Sequence, residues 1–187
     1  MSILETVSGR KINVLNPDPK DIDIEDIAWH LSRLPRFCGA TIPSIPYSVA
    51  QHSIQVMREF PITDPLMQLH GLLHDAAEAY IGDIPSPIKH IPSLRQEIKV
   101  VEARLIDCIY ESINVQVPND NQSQYVHEAD LVQRAIEAYN FMHSRGTEWD
   151  LPKVSFKKLQ EFERPVLSIE SYENFLYYFH DLMKKIV

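Results

Sequence analysis

Residues 69–83 read LHGLLHDAAEAYIGD, and this stretch decides the fold. In and just before it, apolar residues recur at steps of three and four, which predicts one buried face of a helix. We expect the helix to begin at Thr63 or Asp64, which can cap it, and to end at Gly82, a residue type typical of helix C-termini. The apolar face consists of Leu66, Leu69, Leu73, Ala76 and Tyr80.

The polar residues of the same stretch indicate a second face. His74 and Glu78 are one helical turn apart and are therefore neighbours. Asp75 lies about 100° further round the helix, so it can reach the same point in space as His74. A neutral ring nitrogen beside an anionic oxygen is a ligand pair that suits divalent transition metals.

The charge pattern around this helix bears on whether that face binds a metal or simply faces water. No Lys or Arg occurs from Pro61 to Ile88, although solvated faces usually mix both signs of charge. Acids without counter-charges repel one another unless a cation lies among them. Composition alone leaves both interpretations open. The acids concerned are Asp64, Asp75, Glu78 and Asp83.

Composition limits the classes of protein to consider. The chain has 187 residues, 44% of them hydrophobic, which predicts one globular domain over residues 1–187. A formal charge of −8 argues against a nucleic-acid polymer as a partner. Two cysteines, Cys38 and Cys108, form neither a disulfide framework nor a CxxC motif. Because residues 1–11 lack a signal-peptide core and no apolar run could span a bilayer, we expect a soluble cytoplasmic protein that binds no membrane.

The rest of the chain also shows helical periodicity. Residues 1–20 read as extended, residues 83–89 read as a rigid loop, and we find no strand pair. We expect a capping box formed by Ser93 and Gln96 to open one of the helices. The prediction is an all-α, single-domain helical bundle. Its other helices are placed at 21–34 (starting at Asp21 or Asp23), 47–60, 93–112, 125–145 and 168–186, with a short one before the last.

Three further positions have both a functional and an ordinary interpretation. Arg36 beside Phe37 can hold a phosphate and a base together, or it can pair with a surface acid while Phe37 packs in the core. His52 lies in the helix predicted at 47–60, where a lone histidine is usually a hydrogen-bonded core residue. Asp130 can simply pair with Arg134 one turn later on a helix surface.

Taken together, His52, His74-Asp75 and Asp130 form the H…HD…D series of the HD-domain metal-dependent phosphohydrolases, which this chain resembles. The strings HDAAE at 74–78, GDIPSPIK at 82–89 and SVAQHS at 48–53 are similar to the bacterial 5′-deoxynucleotidase branch. Small phage members of the superfamily include dATP triphosphohydrolases. The resemblance covers roughly residues 22–142, and the helices at about 155–187 add no motif.

The resemblance implies a role for each matching residue. His70 falls outside the pattern and is expected to pack or to support the site. The implied metal is a divalent transition ion (Mn, Co, Zn, Fe or Ni), with an additional Mg²⁺ for a triphosphate substrate. The implied metal ligands are His52, His74, Asp75 and Asp130, the catalytic acids are Glu78 and Asp83, and the substrate-binding residues are Arg36, Phe37 and Lys89.

The activity implied is attack of water on the α-phosphorus of a deoxynucleotide. The metal centre suits a dATP-preferring triphosphohydrolase as well as a 5′-deoxynucleotidase acting on monophosphates, and the sequence does not choose between them. The relatives also imply a homo-oligomer in the cytosol of a bacterium or of a phage-infected host. The alternative is a non-catalytic, regulatory nucleotide-binding module with the same fold. A dinucleotide phosphodiesterase is disfavoured because we see no second ligand cluster.

Overall fold

The computed structural model describes residues 2–186. Helices dominate them, and the predicted all-α bundle is confirmed. None of the helices in these residues is long and apolar enough to cross a membrane. The helices are α1 (Ile24–Arg33), α2 (Val49–Arg58), α3 (Pro65–Leu73), α4 (Glu78–Ile81), α5 (Ser86–Lys89), α6 (Pro92–Ser112), α7 (Asp120–Phe141), α8 (Phe156–Leu159) and α9 (Ser168–Ile186), with 3₁₀ turns at Pro19–Asp21 and Arg36–Gly39.

A short β-hairpin precedes the helices, so the expectation of no strand pair is wrong. Strand β1 (Ile3–Glu5) pairs antiparallel with β2 (Lys11–Asn13), with Ile3 opposite Asn13. The buried carboxylate of Asp26 in α1 accepts hydrogen bonds from the Thr6 and Ser8 hydroxyls, both at 2.7 Å, which ties the hairpin to the bundle. Strands of three residues are too short to show an alternation in the sequence.

The core lies where α2 and α3 pack against each other. Both helices also contact α7 and α9, and α1 covers α2, α4 and α9. Burying a large aliphatic or aromatic side chain stabilises the fold by about 1.5–3 kcal/mol, so this cluster fixes the spacing of α2 and α3. Side chains with no exposed surface include Ile27, Leu31, Leu69, Leu72, Leu73, Leu105, Ile109 and Phe175.

The central helix is interrupted, which corrects the prediction of one continuous helix from residue 64 to Gly82. Asp64 caps its start through the Met67 amide, and Gly82 ends it at φ +81°. Between α3 and α4, the amides of residues 76, 78, 79 and 80 bond to carbonyls three residues earlier, at 2.9–3.2 Å. Such bonds tighten the helix into a 3₁₀ turn, and the turn falls on the His74–Asp75 pair.

Several boundaries differ from the prediction because the caps differ. Residues 86–89 form α5 inside the expected loop, and α6 begins after Ile91 without a side-chain cap, so the capping box at Ser93 is wrong. A capping box does occur where none was predicted, at the start of α7. The Asn119 side chain accepts from the Gln122 amide, and the Gln122 side chain accepts from the Asn119 amide. That helix consequently begins at Asp120 and ends at Phe141, several residues before Arg145.

The remaining predicted helices are confirmed. Asp23 caps α1 by accepting from the Glu25 amide. Ser48 caps α2, which is two residues shorter at each end than predicted. The bounds of α9 match the prediction.

Candidate functional site

Three helices bring the four predicted ligands together. His52 lies in the middle of α2, His74 and Asp75 lie in the tight turn after α3, and Asp130 lies in the middle of α7. Because α2, α3 and α7 all contact one another, residues distant in sequence meet at one point. The His52 ring is fully buried, and Asp130 is 8% exposed.

The atoms of these side chains that could ligate a metal lie close together. Asp130 Oδ1 is 3.2 Å from His52 Nε2, and Asp75 Oδ2 is 3.1 Å from His74 Nε2 and 3.7 Å from His52 Nε2. One nitrogen or oxygen from each of His52, His74 and Asp130 lies within 4.8 Å of the other two. These separations suit atoms that share one cation.

Each histidine has its other ring nitrogen bound to an acceptor. His74 Nδ1 donates to the Gly71 carbonyl at 2.9 Å, and His52 Nδ1 donates to Glu137 at 2.5 Å. In the neutral rings, these acceptors place the proton on Nδ1 and leave the Nε2 lone pair facing the other ligand atoms, the arrangement seen in metal-binding histidines.

Hydrogen bonding within the described residues leaves the converging atoms unmatched. His52 Nε2, His74 Nε2 and Asp130 Oδ1 are buried and have no hydrogen-bond partner there. Buried polar atoms are rarely left in this state, because each costs about 1–3 kcal/mol. Two imidazole nitrogens and a carboxylate oxygen are ligands that divalent transition metals accept, so the residues fit such an ion.

Electrostatics also favour a cation at this point. Burial opposes the ionisation of Asp75 and Asp130, yet the two imidazoles hold the pKa of each carboxyl well below its ordinary value. Burial likewise opposes protonation of His74, but Asp75 and Asp130 raise its pKa to about 9. The cluster therefore stabilises positive charge in its centre.

Arg36 lies beside the cluster, in a loop held to the bundle. Its amide donates to the Tyr47 carbonyl at 2.9 Å, and Ile42 in the same loop donates to the Phe141 carbonyl at 2.8 Å. Arg36 as a whole is 6% exposed, and its Nη1 lies 3.7 Å from Asp75 Oδ2. The predicted substrate-binding arginine is thus next to the predicted ligands, and the interpretation that it pairs with a surface acid is wrong.

Phe37 follows in an uncommon conformation. Its φ is 53°, as is that of Cys38, and two successive non-glycine residues in the left-handed region are strained. The Phe37 ring lies 5.7 Å from the Trp149 ring, centroid to centroid, and 5.3 Å from the Arg36 guanidinium carbon. Phe37 is partly exposed, so the alternative interpretation that it packs in the core is not observed.

Glu78 opens α4, one turn after the His74–Asp75 pair, and is 5% exposed. Burial, with Asp75 and Asp83 adding to it, raises the pKa of Glu78 to about 9, while Lys89 lowers it. Lys89 Nζ lies 3.2 Å from Glu78 Oε1 and 2.9 Å from Glu102 Oε1. Lys89 is therefore held between two carboxylates, and Asp83 follows Gly82 in the adjoining loop.

Glu137 is the residue that the sequence analysis missed. Its carboxylate accepts hydrogen bonds from both His52 and Arg36, and the residue is 2% exposed. Burial opposes ionisation of this carboxyl group, but the charge of Arg36 keeps the pKa of Glu137 below its ordinary value. It follows Asp130 by seven residues, two turns along the same helix face, and this spacing could have revealed it. His70 lies outside the cluster, as expected, with Nδ1 3.0 Å from the Tyr110 hydroxyl.

Comparison with known proteins identifies the family. A family model described as 5′-deoxynucleotidase YfbR-like matches residues 59–169, a segment that contains His74, Asp75, Glu78 and Asp130. The chain belongs to the YfbR-like family. The uncharacterized Escherichia coli protein YfdR is 33% identical over 149 residues, covering 80% of this chain and 78% of YfdR. The resemblance to the 5′-deoxynucleotidase branch of the HD-domain phosphohydrolases is confirmed.

Other relatives are more distant or shorter in extent. An uncharacterized Rhodobacter capsulatus protein is 42% identical over 87 residues, and the match spans 44% of either protein. The 5′-deoxynucleotidase YfbR of Escherichia coli is 24% identical over 153 residues, 73% of this chain and 77% of YfbR.

A solved structure shares the fold of this YfbR-like chain. It is the HD phosphohydrolase DatZ of cyanophage S-2L, bound to dA and one catalytic Zn²⁺ ion. The TM-score is 0.51 at 19% identity, covering 85% of this chain and 95% of DatZ. At that identity the match shows a common fold.

Proposed function

We propose that this YfbR-like protein is a metal-dependent phosphohydrolase that attacks the α-phosphorus of a deoxynucleotide with water. The observation that carries the proposal is the buried convergence of His52 Nε2, His74 Nε2 and Asp130 Oδ1, with Asp75 beside them and Arg36 at 3.7 Å from Asp75. The relatives support it: YfbR is named a 5′-deoxynucleotidase, and DatZ was solved with dA and Zn²⁺.

The four predicted ligands His52, His74, Asp75 and Asp130 would hold the ion. When bound, a divalent cation lowers the pKa of water and offsets the charge of phosphoryl oxygens. The helices α2, α3 and α7 hold the donor atoms in place before it binds, and burial excludes competing solvent. Mn²⁺, Co²⁺, Zn²⁺, Fe²⁺ and Ni²⁺ all accept this ligand set, with Mg²⁺ reserved for the outer phosphates of a triphosphate.

Glu78 is the proposed acid–base group. Its carboxyl group is buried one turn beyond Asp75 and hydrogen-bonded to Lys89, so it has a fixed position from which to orient water or relay its proton. The positive charge of a bound ion would oppose the rise in the pKa of Glu78 and favour the ionised form. A group in that role contributes about 10²–10⁴-fold to turnover. Asp83, in the following loop, is proposed as the second acid because its negative charge raises the pKa of Glu78.

Arg36, Phe37 and Lys89 are proposed to bind the substrate. Among the hydrogen bonds of the described residues, the Arg36 side chain uses only Nε, so its Nη groups can hold phosphoryl oxygens. The partly exposed Phe37 ring can stack on a base. Lys89 has three donors and uses two on Glu78 and Glu102, which leaves one for a phosphate oxygen.

The test is to incubate the protein with dATP, dAMP, dGTP and ATP at matched concentrations, with Mn²⁺, Co²⁺ or Zn²⁺, and to identify the products. Chromatography that shows triphosphate from dATP supports a triphosphohydrolase with the proposed dATP preference, and phosphate from dAMP supports a 5′-deoxynucleotidase. Glu78→Gln should lower turnover by about 10²–10⁴-fold. Glu97→Gln, at an exposed position of α6, should not change it.

Absence of product from all deoxynucleotides with all three metals, or full turnover by Glu78→Gln, would contradict the proposal. The single domain over residues 1–187, the homo-oligomer, the cytosolic location and the lack of a nucleic-acid partner stay predictions from the sequence.

A further inference from the structure

Glu137 uses the two oxygens of one carboxylate on two different parts of the site. Oε1 accepts from His52 Nδ1 at 2.5 Å, and Oε2 accepts from Arg36 Nε at 3.0 Å. The side chain is 2% exposed and comes from α7, two turns beyond Asp130. One buried acid therefore joins a predicted metal ligand on α2 to a predicted phosphate-binding residue in the loop before it.

We propose that Glu137 is a positioning residue that couples metal binding to phosphate binding by holding His52 and Arg36 at once. The part of the inference that concerns Arg36 and phosphate, called the phosphate half, rests on the proposed function. The part that concerns His52 and the metal, called the metal half, depends only on the contacts of His52.

The metal half follows from the two nitrogens of His52. A neutral imidazole carries one proton, and only the ring with the proton on Nδ1 presents a lone pair at Nε2. His52 is fully buried, so no water competes for Nδ1, and Glu137 supplies its acceptor. Without that carboxylate, the proton can move to Nε2 and bond to Asp130 Oδ1 at 3.2 Å, which would consume both ligand atoms.

The phosphate half follows from the flexibility of arginine. Arg36 sits next to a strained loop and reaches the cluster through a long side chain with many rotamers. Glu137 fixes it at Nε, and the planar guanidinium then points its Nη1 toward Asp75. Loss of Glu137 leaves Arg36 free to move closer to Asp75 than the present 3.7 Å and to hydrogen-bond to it, which would withdraw both groups from substrate and ion.

The test compares Glu137→Ala and Glu137→Gln with the wild type, and uses Glu128→Gln as the control, because Glu128 is exposed on the same helix. The first readout is Co²⁺ affinity, measured without substrate by the absorption of the bound ion in competition with a chelator. Glu137→Ala should weaken Co²⁺ binding by about 10- to 100-fold, the usual effect of removing a group that orients a metal ligand. Glu128→Gln should match the wild type.

The glutamine variant separates the two contacts. Its amide has one acceptor and one donor end, so while His52 carries its proton on Nδ1 the amide can serve either His52 or Arg36 but not both. With Co²⁺ bound, His52 must keep its proton on Nδ1 and takes the acceptor. Glu137→Gln should therefore lose less Co²⁺ affinity than Glu137→Ala, and at saturating Co²⁺ it should still show a raised KM for the hydrolysed deoxynucleotide.

A purely structural role for Glu137 would give a different pattern. Both variants would then unfold at lower temperature but bind Co²⁺ with wild-type affinity and show a wild-type KM, and that result overturns the proposal. If Glu137→Ala does not fold, the isosteric glutamine carries the same test. If the wild type hydrolyses no deoxynucleotide while Glu137→Ala weakens Co²⁺ binding, the proposed function fails and the hold of Glu137 on His52 is supported.

Discussion

Gly71 is the position at which a single methyl group should disturb both the fold and the site. It lies inside α3, where a Cβ would come within 2.9 Å of Met57 Cα and 3.0 Å of Met57 N in α2. Ordinary contacts between carbon atoms are about 3.5–4.0 Å, so the methyl group would push the two helices apart by roughly half an ångström. Backbone atoms cannot move aside as a side chain can.

The magnitude follows from two opposing terms. Overpacking a core by one methyl group costs about 1–3 kcal/mol, and replacing a helical glycine by alanine returns about 1 kcal/mol. Since the clash is with backbone, we expect Gly71→Ala to lose about 1–2 kcal/mol. For a chain of this size that corresponds to a fall in Tm of about 2–8 °C.

The same shift should reach the metal ligands. His52 lies on α2, and His74 donates to the Gly71 carbonyl at 2.9 Å, so separating the helices separates the two imidazoles. Gly71→Ala should therefore weaken Co²⁺ binding as well as stability, as measured by denaturant unfolding and by Co²⁺ titration. Ala103→Gly, the reverse change at an exposed position of α6, measures how much stability alanine gives over glycine in a helix of this protein. A Gly71→Ala variant that gains about 1 kcal/mol of stability and keeps its Co²⁺ affinity would contradict this prediction.

Three further outcomes are expected. Burial lowers the pKa of His70 to about 4, below the ordinary 6.5. Between pH 6.5 and 4 the imidazole is therefore protonated in the unfolded chain and neutral in the folded chain. Stability should fall over that window by up to about 3 kcal/mol more in the wild type than in His70→Gln; parallel unfolding curves would disprove this. Adding Zn²⁺ at about 100 times its Kd should raise stability by about 2.7 kcal/mol, and Asp130→Asn should lose most of that gain in thermal unfolding; an equal gain in both proteins would exclude Asp130 as a ligand. Asn119→Ala removes the cap of α7 and should lower stability by about 1 kcal/mol with Co²⁺ affinity unchanged, whereas weaker Co²⁺ binding would mean that the cap positions Asp130.

The sequence predicted helices well where their apolar faces are long, and poorly where ends depend on backbone geometry. The periodicity of α1 and α9 and the caps at Asp23 and Asp64 appear in the structure as expected. The start of α6 after Ile91 could not be predicted, because no side chain caps it. The tight turn at residues 74–77 could not be predicted either, since its residues keep a helical pattern while their hydrogen bonds shift by one position.

The site divides in the same way. His74, Asp75 and Glu78 were found from one helix, because their spacing alone places them together. His52 and Asp130 needed a family pattern, since each looks like an ordinary residue of its own helix. The spacing of Glu137 from Asp130 places it on the same helix face, but its partners are 85 and 101 residues away along the chain, and no local pattern identifies them.

Other side chains neutralise part of the acidic charge of the central helix. The absence of Lys and Arg from Pro61 to Ile88 suggested acids that only a bound cation could neutralise, yet residues outside this stretch supply cations to two of its carboxylates. What those cations do not satisfy is the pair of imidazole nitrogens, for which positively charged side chains are no partners at all. The case for a metal therefore rests on His52 and His74 more than on the acids. The two pairs are Arg36 with Asp75 and Lys89 with Glu78, and Asp130, outside the stretch, pairs with Arg134 one turn later as the sequence allowed.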